Sequence, residues 1–288
     1  MAPLAIAALG VASAVAATPA GAATFAFSTG NPDGRIGTLS RPAGPGAVQT
    51  ETADDFALGQ VSRITHATFI GLLPTGTALS SVRNVEIEFY NVFPGASADP
   101  PSGNVPTRAN SPADFEIASA TRDGHDGSLT FATTQLDPSF TVANTVVDGI
   151  NRSPGQFTGG EGPATGQEVL FDIQFTTPVL LGADHFFFRP EVELADGQFL
   201  WLSAPKPILA PGTPLAPDFQ AWMRNDNLVP DWLRIGTDIT HQAPFNMAFS
   251  LDGVAGVPEP GVWAMMLIGL GAAGVQLRRA RARAGAVT

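Results

Sequence analysis

The sequence predicts an all-β fold, an antiparallel β-sandwich of jelly-roll type with one short helix, flanked by an N-terminal signal helix and a C-terminal transmembrane helix. Three observations lead there. First, apolar residues recur at every second position in several runs: Val85, Ile87 and Phe89 against Glu86, Glu88 and Tyr90; Val169, Phe171, Ile173 and Phe175 against Leu170, Asp172 and Gln174; Phe245, Met247, Phe249 and Leu251 against Asn246, Ala248 and Ser250. A period of two puts one set of side chains on a buried sheet face. Second, 31 glycines and 25 prolines punctuate the 288 residues, as the many turns of a sandwich require. Third, nothing repeats at a period of roughly 20–50 residues, which excludes solenoids and propellers.

Residues 1–23 read as a signal peptide. Leu4–Ala17 is an apolar, alanine-rich stretch, and Ala20-Gly21-Ala22 supplies the small residues a signal peptidase reads, so cleavage is expected after Ala22 or Ala23. No Lys or Arg precedes the apolar stretch; a true start upstream of Met1 would supply that missing basic region. The body, residues 24–255, carries the three alternating runs and further strand-like runs at Ile64–Leu73, Ser128–Thr133, Phe140–Val147, His185–Leu194 and Phe199–Leu202. About eight or more strands follow, separated by Gly, Pro, Asn and Asp clusters. Pro94–Pro112 and Ser153–Gly166 are the longest loops, Pro217–Asn225 around Phe219-Gln220-Ala221-Trp222 is the one expected helix, and Gly253–Val257 is a short tether.

The C-terminal region, residues 256–288, has its own order. Pro258 and Pro260 fix their own φ and push Val257 and Glu259 out of the helical region, so Pro258-Glu259-Pro260 is presented as extended backbone. Gly261–Leu277 follows with no charged residue over 17 positions. At a helical rise it spans about 26 Å, just short of a hydrocarbon core of roughly 30 Å. Trp263 marks the outer boundary, and Arg278, Arg279, Arg281 and Arg283 in the basic tail 278–288 anchor the inner end, in the sense of the positive-inside rule. An amphipathic surface helix would show a polar face, and Val262–Leu277 is apolar or small nearly all round.

The run Pro258-Glu259-Pro260-Gly261-Val262-Trp263-Ala264, with Gly269, Gly271 and Arg278-Arg279 after it, resembles the PEP-CTERM sorting signal in its PEP-x-x-W-A form. The resemblance covers about 30 residues, a length set by the span and its anchor. It implies an exported protein of a Gram-negative bacterium, recognised by an exosortase, a membrane protease or transpeptidase, at Pro258, Glu259 and Pro260. Arg278 and Arg279 would be the stop-transfer anchor. The implied route is secretion, a transient inner-membrane stage with the body in the periplasm, then the cell surface or the medium, often in association with exopolysaccharide and biofilm. Leu73-Pro74-Thr75-Gly76 is no sortase signal, because it lies mid-chain with no apolar span behind it.

Charge and cysteine content narrow the chemistry. Without the tail arginines the body holds 11 basic against 26 acidic residues, a formal −15, and a single lysine, Lys206. Nucleic acid is excluded as a partner, since phosphate neutralisation needs clustered Lys and Arg. With no cysteine at all, disulfides, lipid anchoring through cysteine, thiolate metal sites and thiol catalysis fall together.

No catalytic residue is expected. His66, His125, His185 and His241 stand alone, without metal-ligand spacing, and no G-x-S-x-G elbow occurs. Glu86 and Glu88 share a strand face and could form a glycosidase pair, but the outward polar face of a strand is the favoured explanation. Asp123-Gly124-His125-Asp126-Gly127 makes Asp123 and Asp126 candidate calcium ligands; the same residues suit a turn, and no distal Glu completes a calcium loop. Trp201, Trp222 and Trp232 lie within 32 residues of one another, and are candidates for stacking on sugar rings or for core packing. The expected function is a non-catalytic surface or matrix protein that needs no cofactor. A carbohydrate-binding module and a secreted glycan-active hydrolase are the alternatives.

Overall fold

Alternating side chains build two β-sheets whose apolar faces meet. The computed structural model describes residues 24–93, 105–148, 150, 157–205, 220–256 and 271. In chain order the strands are β1 (Thr24–Ser28), β2 (Ile36–Leu39), β3 (Thr50–Ala57), β4 (Ser62–Pro74), β5 (Val82–Asn91), β6 (Arg122–Asp123), β7 (Leu129–Val142), β8 (Asn144–Val146), β9 (Ala164–Leu181), β10 (His185–Leu194), β11 (Leu200–Ala204), β12 (Trp222–Asn225), β13 (Leu233–Arg234), β14 (Asn246–Met247) and β15 (Phe249–Ala255). A nine-stranded sheet runs β1-β15-β4-β11-β2-β8, with β14 on β11, β9 on β4 and β7 on β9; a six-stranded sheet runs β13-β12-β3-β10-β5-β6. The last strand, β15, is inserted between β1 and β4.

The three alternating runs fall on β5, β9 and β14–β15, with Val85, Ile87, Phe89, Val169, Phe171, Ile173, Phe175, Met247, Phe249 and Leu251 in the core. Phenylalanine dominates the seam between the sheets. Phe188 on β10 stacks on Phe249 of β15 with centroids 5.0 Å apart, and Phe27 of β1 lies 5.9 Å from Phe56 of β3. Phe89 of β5 lies 6.3 Å from Phe175 of β9. Offset and edge contacts of this kind add about 0.5–1.5 kcal/mol beyond the area they bury. Glycine appears in β4 for a packing reason: a Cβ on Gly71 would run into the ring of Phe199.

The all-β prediction holds, with three local corrections. The expected helix around Trp222 is the strand β12, paired with β3 and β13. Its alternation sends Met223 into the main core while Trp222 and Arg224 face the other way, so sheet pairing overrides a segment that reads as helix by composition. The tether is shorter than expected, because Gly253 and Val254 are ladder residues of β15. Pairing is not purely antiparallel, since β2 and β8 run parallel.

Residues Ala23–Gly256 form one compact unit. Among the described residues no helix is long and apolar enough to cross a membrane. The expected signal helix and the span 261–277 lie outside the described residues, apart from Gly271.

Candidate functional site

The outward face of the six-stranded sheet is not a plain solvated surface. Residues that point away from the main core, Ala53 on β3, Tyr90 on β5, Phe187 on β10 and Trp222 on β12, gather with Trp232 into a second buried cluster. Beside it the same face places Glu51 on β3, Glu86 and Glu88 on β5, Arg189 and Glu191 on β10, and Arg224 on β12. Strand register makes them neighbours: Glu88 is opposite Arg189, and Glu86 is opposite both Glu191 and Asp123.

Glu51 is the hub. Its Oε1 accepts from Arg189 Nη2 at 2.9 Å and Nε at 3.2 Å, and its Oε2 accepts from Arg224 Nε. The Tyr90 hydroxyl donates to Glu88 Oε2 at 2.6 Å and lies 3.1 Å from Glu51 Oε1. Arg189 also reaches Glu191 at 3.0 Å, and Gln49 Nε2 donates to the same carboxylate at 2.8 Å. Arg224 stacks over Trp232 with 4.3 Å to the ring centroid and donates to the carbonyl of Asp114 at 3.1 Å, tying the loop before β6 to the sheet. Planar guanidinium forks suit such shared carboxylates.

Four carboxyls against two guanidiniums leave the group short of positive charge, and the titration behaviour divides accordingly. Burial pushes the Glu51 carboxyl up, but Arg189 and Arg224 together outweigh it and hold it at about 2. Glu86 goes the other way: burial, helped by Glu88, Glu191 and Asp123 and opposed by Arg189, lifts it to about 7. Burial also raises Glu191, against the pull of Arg189 and Gln49. Tyr90 is raised too, first by burial and then by the charge of Glu51, so its hydroxyl stays protonated as a donor. The arrangement is a structural clamp that ties β3, β10 and β12 together.

The tryptophans, candidates for sugar stacking or core packing, are inside. Trp201, Trp222 and Trp232 are 0%, 1% and 1% exposed, and Trp201 donates its Nε1 proton to the carbonyl of Ala248 at 3.0 Å. Trp201 is buried in the main core and Trp222 and Trp232 in the second cluster on the outward face, so none of the three offers a free face to a sugar. Asp123 ends β6 and Asp126 lies in the turn that follows it. Asp123 Oδ1 accepts from Asn84 Nδ2 at 2.6 Å and from the His125 amide at 2.8 Å, and Asp126 Oδ1 accepts from the Ser128 amide at 2.7 Å. Among the described residues no group of three His, Asp or Glu is placed to hold a metal ion.

Each histidine has a local task. His66 bridges Asp172 at 3.1 Å and Asp252 at 3.2 Å, His185 meets Asp55 at 2.9 Å, His125 meets Glu193 at 3.3 Å, and His241 packs its ring on Phe157 at 4.3 Å. Two grooves flank Gly197-Gln198 at the β10–β11 turn. One, of about 610 Å³, is mostly apolar between Leu72, Pro74, Ala164 and Leu200. The other, of about 580 Å³, is lined by Arg41, Arg83, Glu193 and Asp196.

Pro258, Glu259, Pro260, Arg278, Arg279, Arg281 and Arg283 lie outside the described residues. Sequence comparison finds that residues 256–281 match the PEP-CTERM protein-sorting motif. No curated protein and no solved structure matches the chain. The molecule is thus a β-rich body carrying an exosortase-type sorting motif, which implies export and membrane-anchored processing.

Proposed function

We propose that this chain is a non-catalytic protein of the cell surface or extracellular matrix, delivered there by its PEP-CTERM signal and associated with exopolysaccharide. The carrying observation is the motif match at residues 256–281, with Pro-Glu-Pro, an uncharged span and four arginines in the order that parks a body outside a membrane. In this reading residues 1–23 direct secretion through the general export machinery and a signal peptidase. The Arg278–Arg283 cluster then halts translocation, and an exosortase-type protease cuts near Pro258–Pro260.

The body fits a role that asks for durability rather than turnover. Its tryptophans and the Glu51 clamp are committed to packing, and the groove lined by Arg41, Arg83, Glu193 and Asp196 has the room and polarity for contact with a polysaccharide. The experiment concerns sorting: in the native host, Glu259→Ala together with Pro260→Ala is expected to leave an uncleaved body in the inner-membrane fraction. Unchanged release would refute the assignment. A glycan-active hydrolase is the second reading, favoured by one feature of the site, the half-buried Glu86 carboxyl, raised by burial, opposite Glu191 and Asp123. It requires polysaccharide cleavage that disappears in Glu86→Gln.

A further inference from the structure

Every sheet leaves edges, and proteins protect them chiefly by keeping edge strands very short. This chain does so almost throughout. The six-stranded sheet ends in β13 and β6, two residues each, and the nine-stranded sheet ends in β1 with five, β8 with three and β14 with two. Strand β7 is the exception: 14 residues long, it pairs with β9 on one side, and among the described residues no strand lies on the other. Alternate residues of an antiparallel strand direct their N–H and C=O groups to one side. Among the described residues no strand takes up the row of donors and acceptors along its outer edge.

The two halves of β7 differ. From Asp137 onward the edge is guarded by a charge, by Pro138, and by register shifts at Gln135/Asp137 and Asp137/Phe140. Bulges, prolines and charges are the usual guards of an edge. The stretch Leu129-Thr130-Phe131-Ala132-Thr133-Thr134-Gln135 has no charge, proline or glycine. Its β-branched and aromatic residues favour strand pairing, and seven residues suffice for a pairing unit. Phe131 faces the core side and is only half-buried against it, so the core is left unfinished at this margin.

We propose that the free edge of β7 is a self-association surface, on which a second copy of this chain lays its own β7 antiparallel to form a two-fold dimer with a continuous sheet. An identical partner fits the charge pattern. Two bodies of formal charge −15 repel over most of their surface, and Leu129–Gln135 adds no like charge at the contact. Antiparallel pairing of identical edges is self-complementary and closes after two copies. It satisfies both edge rows by strand addition and completes the cover over Phe131 from both sides. This inference does not depend on the sorting or glycan reading.

The chain has no cysteine, which permits a clean test on the full-length protein in detergent. Thr130→Cys, Ala132→Cys and Thr134→Cys place single thiols at exposed β7 positions, and Ala26→Cys places one on the exposed β1 edge as a control. Mild oxidation is expected to give a covalent dimer at one β7 position, near the two-fold axis, at least about tenfold above the control, because paired thiols experience millimolar effective concentrations. Adding lysines at the other two of positions 130, 132 and 134 to whichever single-cysteine chain cross-links should abolish that species, while light scattering shows the unmodified chain as a dimer. A monomeric unmodified chain, cross-linking no higher on β7 than at Ala26, or cross-linking indifferent to the lysines would overturn the proposal.

Discussion

Replacing Glu86 with glutamine should make the body more stable at alkaline pH and leave it nearly unchanged in mild acid. Glu86 lies opposite Glu191 on one side and Asp123 on the other, half-buried, with its carboxyl raised from 4.5 to about 7. The folded state therefore holds the proton more tightly than the unfolded chain does. The stability linked to this group is fully present below about pH 4.5 and is lost as pH rises through 7. A gap of this size corresponds to about 3 kcal/mol in the fully buried limit. Glu86 retains contact with water, and solvent screening reduces the expected effect to about 1–2 kcal/mol. Glutamine keeps the shape and cannot ionise. Urea unfolding followed by tryptophan emission should show Glu86→Gln and the parent within a few tenths of a kcal/mol near pH 4.5, with the variant ahead by about 1–2 kcal/mol near pH 8. An equal difference at both pH values, or a variant less stable near pH 8, would refute the argument; the latter would mean that Arg189 needs the Glu86 charge.

Two other perturbations probe the same frame. Arg189→Ala removes one of the two cations that hold Glu51 and Glu191, leaving buried carboxylates uncompensated, and is expected to cost about 3–5 kcal/mol in urea unfolding near pH 7. Because Glu51 is held at about 2, the stability it contributes in the parent is present above about pH 4.5 and is lost as pH falls toward 2, so acid unfolding of Arg189→Ala should begin at higher pH. Gly71→Ala drives a methyl into the Phe199 ring and should lower stability by about 1–3 kcal/mol, visible as a reduced midpoint of thermal unfolding.

Strands with one apolar face were legible in the sequence because a period of two is a local signal: β5, β9 and β15 lie where Val85–Tyr90, Val169–Phe175 and Phe245–Leu251 alternate. β12 was not, since Trp222 and Arg224 are outward residues that become buried only through loops and strands far along the chain. The Glu51 clamp was missed for the same reason. Its members come from β3, β5, β10 and β12, with 138 positions between Glu51 and Arg189, and no spacing rule joins them. Glu86 and Glu88 were correctly placed on one face, but the reading of that face as solvated fails where Arg224 ties the loop at Asp114 to the sheet.

The position of β15 also orders events in time. Because the last strand fills the gap between β1 and β4, the nine-stranded sheet stays split until Ala255 has been delivered. Pairing between chain ends more than 200 residues apart, such as Phe27 with Leu251, is slow to form and leaves the earlier strands open meanwhile. A chain threaded from its N-terminus thus remains unlocked for as long as it is moving. The strand that completes the sheet, residues 249–255, ends immediately before residue 256, where the sorting motif begins.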